Sequence, residues 1–313
     1  MSKTAIIFPG QGAQTVGMGA DFAEQCAASR AVYAEASEVL GWDVLEVCAR
    51  GPVDRLSATD IQQPAILATS AAIVAAMGPV EQLRPMFSGA AGLSLGEYGA
   101  LYFAGGLTLA DALRVVQQRG RFMQEAAEAH PSSMVSLIGA DEDQAAAICR
   151  EAAEGDVLVV ANLNCPGQVV ISGTKPACVR AVASADRHGV RAVALQVAGA
   201  FHSPLMQQAA DRLEQVLADT RVEAPKIPVV ANVTANYHDG GSAIRASLRD
   251  QVTRPVRWQA SIERLIADGV DRFVEVGPNR VLTGLMRKID RGVRAINVST
   301  VDRLGELELA ART

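Results

Sequence analysis

Val157-Leu158-Val159-Val160-Ala161-Asn162-Leu163-Asn164-Cys165-Pro166-Gly167-Gln168-Val169-Val170-Ile171-Ser172 decides how this chain is organised. Two runs rich in β-branched residues, 157–161 and 168–172, flank Asn162–Gly167, whose Pro166-Gly167 pair carries turn chemistry. The stretch therefore reads as two strands folded back on each other. Towards the amino terminus come a helix over 141–153 and a strand over 134–138. Towards the carboxyl terminus come a helix over 175–188, stopped at His188-Gly189, and a strand over 190–197. The order is β-α-β-β-α-β, the ferredoxin-like unit.

Outside this unit the pattern alternates as in an α/β domain. Before it lie a strand over Thr4–Phe8, helices over Asp21–Leu40 and Gln62–Met77, a small-residue strand over Pro85–Gly92, and helices near 95–104 and 108–129. The last of these ends at His130-Pro131, because a residue before proline is pushed out of the helical region. After the unit come a helix over 205–217, a strand over 228–232, helices over 243–251 and 258–267, a strand over 272–276, a helix over 281–289 and a strand over 294–298. The compact unit, 132–198, is thus read as inserted into a larger domain made of 1–131 and 199–313.

Composition narrows the function. The 313 residues are 49% hydrophobic and 20% charged, enough to bury a core without disulfides. Net charge is 29 − 34 = −5, so no general basic field exists to hold a nucleic acid. Five scattered cysteines, with no CxxC and no His-rich cluster, point away from a metal site and towards a reducing compartment. The run Ala5-Ile6-Ile7-Phe8 is too short for a signal peptide, and Ala65–Met77 falls short of the roughly 20 residues that cross a bilayer. A cytoplasmic protein with no membrane span and no cofactor or metal is expected.

Gly92-Leu93-Ser94-Leu95-Gly96 matches GxSxG between a strand and a helix, the context in which that motif presents a nucleophilic serine on a tight turn. A structural turn of small residues is the bland alternative. The amide of Leu95 would point to where an oxyanion forms. A serine nucleophile needs a base, and the chain has four histidines. His130 precedes a helix-ending proline, His188 ends a helix, and His238 lies in an Asn-Tyr-His-Asp-Gly-Gly turn. His202, in Gly199-Ala200-Phe201-His202-Ser203-Pro204, falls where the chain returns to the larger domain and a cleft would form; it is either the base or a packed structural histidine.

Arg119 falls within the apolar stripe Leu109, Leu113, Val116, Met123. A guanidinium facing a core needs an anionic partner, which could be a carboxylate ligand or an internal acid. In Gly10-Gln11-Gly12, Thr15 stands where GxGxxG requires glycine, and no phosphate-binding GxxxxGK[ST] exists, so nucleotide binding is rejected. The Gln11 amide is instead a candidate second oxyanion donor.

Taken together, Phe8-Pro9-Gly10-Gln11-Gly12, Gly92–Tyr98, Gln118-Arg119-Gly120 with Met123-Gln124, Asn162–Gly173, Gly199–Pro204 and Glu275-Val276-Gly277-Pro278 through Gly284 resemble the malonyl-CoA:acyl carrier protein transacylases, over essentially the whole chain. The resemblance implies an α/β-hydrolase-like large domain carrying the ferredoxin-like insert. It implies Ser94 as nucleophile, His202 as base, Arg119 as clamp on the malonyl carboxylate, and the Gln11 and Leu95 amides as oxyanion hole. The backbone carbonyl of Gln251 would orient His202, which accounts for the lack of an acidic third member. Many relatives carry histidine where this chain has Leu93, leaving a more apolar acyl pocket here. Phe201 would crowd an α-methyl group and so favour malonyl over methylmalonyl.

The expected reaction is ping-pong: Ser94 takes malonyl from coenzyme A and passes it to the phosphopantetheine thiol of an acyl carrier protein, in fatty acid or polyketide synthesis. A serine acyl hydrolase and a non-catalytic docking subunit are the rivals. Arg187 and Arg191 are candidates for docking an acidic carrier. A monomer is expected.

Overall fold

The computed structural model describes residues 2–305. Its first sheet holds β1 (Lys3–Phe8), β2 (Gly89–Gly92), β7 (Val270–Val276) and β8 (Arg294–Val298) in the order β2-β1-β7-β8, all parallel. Ile6 of the central β1 lies between Ala90 and Val274. Alternate side chains of a strand leave opposite faces. Ile6 and Phe8 enter one core, with Phe22, Tyr33, Ile66 and Phe103. Ala5 and Ile7 enter the other, with Trp258, Leu265 and Phe273. Both faces are covered, so β1 reads as a continuous apolar run instead of an alternating one.

The second sheet holds β3 (Ser132–Ile138), β4 (Leu158–Cys165), β5 (Gln168–Thr174) and β6 (Arg191–Ala194) in the order β4-β5-β3-β6, antiparallel throughout. This is the ferredoxin-like arrangement, with the helices Glu142–Ala153 and Lys175–Arg187 between its strands. Val135, Leu137 and Ile171 pack with Ile148 and Ala181 of those helices. Met134 and Val170, on the other face, join the core of the large domain. The small domain is therefore held by its own helices on one side and by the large domain on the other.

Several expected elements differ. The helix expected over Asp21–Leu40 breaks at Cys26, whose extended backbone (φ −122°, ψ 118°) separates Ala20–Gln25 from Ala27–Leu40; the break lets Phe22 and Tyr33 reach the same core. Short helices Val44–Arg50 and Val53–Ser57 follow that the apolar periodicity did not reveal. The strand expected from Pro85 begins only at Gly89, because Arg84–Met86 is a 3-10 turn. Residues 228–232 form isolated bridges, Val229 to Ala90 and Val230 to Tyr237, not a full strand. The strand expected over 190–197 is confined to Arg191–Ala194, and the helix expected from 205 starts at Gln207 after a 3-10 turn. No single described helix is long and apolar enough to cross a membrane, and Thr59–Met77 is buried along most of its length, Gln62 and Gln63 included, because it runs through the core.

Candidate active site

The end of β2 turns abruptly into the helix Gly96–Ala104, and the glycines of GxSxG are sterically required there. A Cβ on Gly92 would lie 1.9 Å from the Gly96 carbonyl carbon, and one on Gly96 would lie 2.1 Å from the Phe8 carbonyl oxygen. Between them Ser94 takes a left-handed backbone, φ 52°, which a residue with a Cβ adopts only when its surroundings impose it. Asn232 imposes it from both sides. Its Oδ1 accepts the Ser94 amide at 2.6 Å, and its Nδ2 donates to the Gly92 carbonyl at 2.7 Å.

His202, also left-handed at φ 58°, lies 4% exposed with Nε2 2.9 Å from Ser94 Oγ. Its Nδ1 is 2.7 Å from the Gln251 carbonyl oxygen. A carbonyl can only accept, so Nδ1 carries the proton and Nε2 is free to take one from the serine hydroxyl. Burial first, and the Arg119 charge second, push the imidazole down to about 4, against an opposing pull from the Gln251 and Arg254 backbone. At neutral pH this histidine is an uncharged acceptor aimed at the serine.

Arg119 projects from the helix Leu109–Ala129 and is 1% exposed. One terminal nitrogen donates to Gln63 Oε1 at 2.6 Å; the other donates to Ser94 Oγ and to Gln251 Oε1, each at 3.0 Å. Its Nε is buried with no partner. All three acceptors are neutral. No internal acid touches the guanidinium: Arg119 forms no ion pair among the described residues, and Glu97 is reached only through the Gln251 side chain. Burial lowers its pKa, and only the charge of Glu97 and contact with Tyr98 act to raise it. A guanidinium so placed can receive a carboxylate next to the serine oxygen.

The Gly10–Gly12 turn lies against this elbow, a Cβ on Gly10 falling 2.4 Å from the Leu93 carbonyl oxygen. Neither the Gln11 amide nor the Leu95 amide has a protein acceptor among the described residues, although Leu95 is 1% exposed. Buried backbone N–H groups are nearly always paired, so donors left open at a nucleophile elbow suit an oxyanion. Leu93 is half-buried and packs on the core that holds Val230 and Trp258, while Phe201 is buried in the main core beside His202. Of the two docking candidates, Arg187 is paired with Glu151, whereas Arg191 is exposed at the start of β6, an edge strand.

Four polar residues at the site escaped the sequence reading: Gln63, Glu97, Asn232 and His238. Gln63 stands in an apolar helix, a weak signal that was available. His238, read as a turn residue, has its ring 2.8 Å from Glu97, with both side chains buried.

Comparison with known proteins then fixes the class. Residues 5–308 match the acyl transferase domain family. The malonyl CoA-acyl carrier protein transacylase of Escherichia coli (strain K12) is 44% identical over 290 residues, covering 92% of this chain and 93% of that protein. The acyl carrier protein S-malonyltransferase of Vibrio cholerae, 41% identical, superimposes with a TM-score of 0.93 over 98% of this chain and 100% of that one. A malonyl-transacylase solved in complex with its holo type II PKS acyl-carrier protein, 40% identical, gives 0.93 over 97% and 98%. The chain belongs to the malonyl-CoA:acyl carrier protein transacylase family.

Proposed function

We propose that this enzyme carries malonyl from coenzyme A to the phosphopantetheine thiol of an acyl carrier protein through a malonyl ester on Ser94. His202 Nε2 takes the Ser94 proton as Oγ attacks the thioester carbonyl, and the oxyanion is met by the Gln11 and Leu95 amides. Collapse breaks the C–S bond, and the departing coenzyme A sulfur takes the proton held on Nε2. The carrier thiol then gives its proton to the same nitrogen and attacks the ester, after which Ser94 recovers the proton. One thioester replaces another, so the exchange is redox-neutral and consumes no cofactor.

The observation that carries this reading is Arg119: a buried cation with only neutral partners, 3.0 Å from the serine oxygen that would bear the acyl group. A free carboxylate on the acyl group supplies the missing anion. Losing a charge-assisted contact of this kind costs on the order of 1.5–3 kcal/mol, or roughly ten- to more than a hundredfold in kcat/KM. Arg119→Ala should therefore depress malonyl-CoA far more than acetyl-CoA, and Arg119→Lys should recover only part of the loss, because lysine cannot reproduce the planar fork. Equal decline of both substrates with a lower melting temperature would make Arg119 structural.

Charge complementarity with an acidic carrier favours Arg191 over Arg187, whose charge is already engaged by Glu151. Four of the five free cysteines are buried, in keeping with a reducing, cytoplasmic setting.

A further inference from the structure

A carboxylate lies directly behind the nucleophile and has no part in the proton transfers above. Glu97, in the first turn of the elbow helix, is fully buried. Its Oε2 accepts the Asn232 amide at 3.0 Å and Gln251 Nε2 at 2.7 Å, and its Oε1 accepts His238 Nε2 at 2.8 Å. An ionised carboxylate can only accept, so it decides which end of the Gln251 carboxamide faces it. The nitrogen must. The amide oxygen is thereby turned to Arg119, which donates to it at 3.0 Å, while Nε2 also reaches the Ser94 carbonyl at 3.0 Å. With the amide reversed, two donors would meet at Arg119 and two acceptors at Glu97, each an unmade hydrogen bond in a buried site.

We infer that Glu97 is a positioning residue for Arg119: by fixing the polarity of the Gln251 side chain it holds the guanidinium beside Ser94 Oγ, and so sets the preference for acyl groups that carry a free carboxylate. The inference rests on the reading of Arg119 as the carboxylate clamp. Gln251 divides its duties. Its backbone carbonyl holds His202, which every acyl group needs, whereas its side chain holds Arg119, which only a carboxylated acyl group needs. Disturbing the side chain should therefore change selectivity more than turnover.

The test is self-acylation of the full-length enzyme by malonyl-CoA and acetyl-CoA in parallel. Glu97→Met, similar in size but without an acceptor, should lower the malonyl/acetyl ratio of kcat/KM by about tenfold or more. Glu97→Gln can still offer its oxygen to Asn232 and Gln251 while its nitrogen meets His238 in the other tautomer, and should keep the ratio within about threefold. Gln251→Leu should match Glu97→Met, and the double variant should lose nothing further, since both break one chain of contacts. An intact ratio in Glu97→Met, with both substrates declining together, would overturn the inference and leave Glu97 structural. If Glu97→Met does not fold, Gln251→Leu decides: a fallen ratio supports the inference and an unchanged ratio overturns it. Arg119→Ala separates the two levels. A ratio unmoved in Arg119→Ala removes the clamp itself, whereas a ratio that falls there and in neither other variant removes only the role of Glu97.

Discussion

The two domains bury different kinds of side chain. In the small domain the buried polar residues are Ser132, Ser136, Asn162, Ser172 and Ser184, without a single charge. Its two helices begin with side-chain caps, Asp141 in a reciprocal capping box with Gln144 and Thr174 on the Ala177 amide. The large domain buries Glu97, Arg119, His202, Asn232 and Gln251 around one point, and holds Ser94 and His202 in left-handed backbone. Strain and uncompensated burial are costly, and they persist only where surrounding structure over-determines them. The difference teaches where buried charge gathers: Glu97 and Arg119 converge with His202 beside Ser94, with Arg84 and Glu275 buried elsewhere in the large domain, whereas the small domain buries no charge and its one left-handed non-glycine residue, Glu154, sits at a helix end.

The contrast can be tested from its strongest side first. His202→Ala should slow acylation by ~10²-fold or more, the scale of a lost general base, with the melting temperature changing little by comparison. Near-normal rates would return His202 to a packing role and erase the distinction between the domains.

A smaller effect concerns pH. His202 sits at about 4 against an ordinary 6.5, so the unfolded chain takes up this proton first as pH falls. Its contribution to stability is whole above pH 6.5 and is lost as pH drops through about 4. The acid limb of kcat/KM for malonyl-CoA should likewise fall near pH 4, provided the protein is still folded there. Arg119→Ala removes the second cause of the shift and should move the limb upward, but not to 6.5, because burial remains. A limb at 6.5 in the unaltered enzyme would mean an imidazole open to water.

The smallest effect belongs to the small domain. Asp141→Ala removes the capping box and should cost about 1 kcal/mol of stability while leaving malonyl transfer unchanged, measured as thermal unfolding and kcat on the same sample. A fall in kcat would show that the insert's regular packing is coupled to the site.

Legibility followed the same division. The strands and helices of the insert were readable because the β-branched runs, Pro166-Gly167 and the Gly189 stop are local signals, although β4 runs on to Cys165 through residues expected in the connection, so that only Pro166-Gly167 turns the chain. In the large domain Ser94, His202, Arg119 and Gln251 were reachable through short motifs and the family resemblance, and each of the four is hydrogen-bonded to at least two of the others. Asn232 was not. It meets Ser94 across 138 residues of sequence, from a segment that resembles an ordinary strand. Glu97 and His238 lie 141 residues apart, and nothing in a sequence tells a buried carboxylate from one on a helix surface. The break at Cys26 was hidden for a related reason, since tertiary packing of Phe22 and Tyr33 overrides a continuous helical pattern.

The most direct measurement is the intact mass of the enzyme after malonyl-CoA, before and after addition of a holo acyl carrier protein. One malonyl group per chain is expected, stable until the carrier thiol arrives, then lost from the enzyme and gained by the carrier, and never present on Ser94→Ala. An adduct that persists in Ser94→Ala, or one released as free malonate without any carrier, would contradict transfer through a malonyl ester on Ser94.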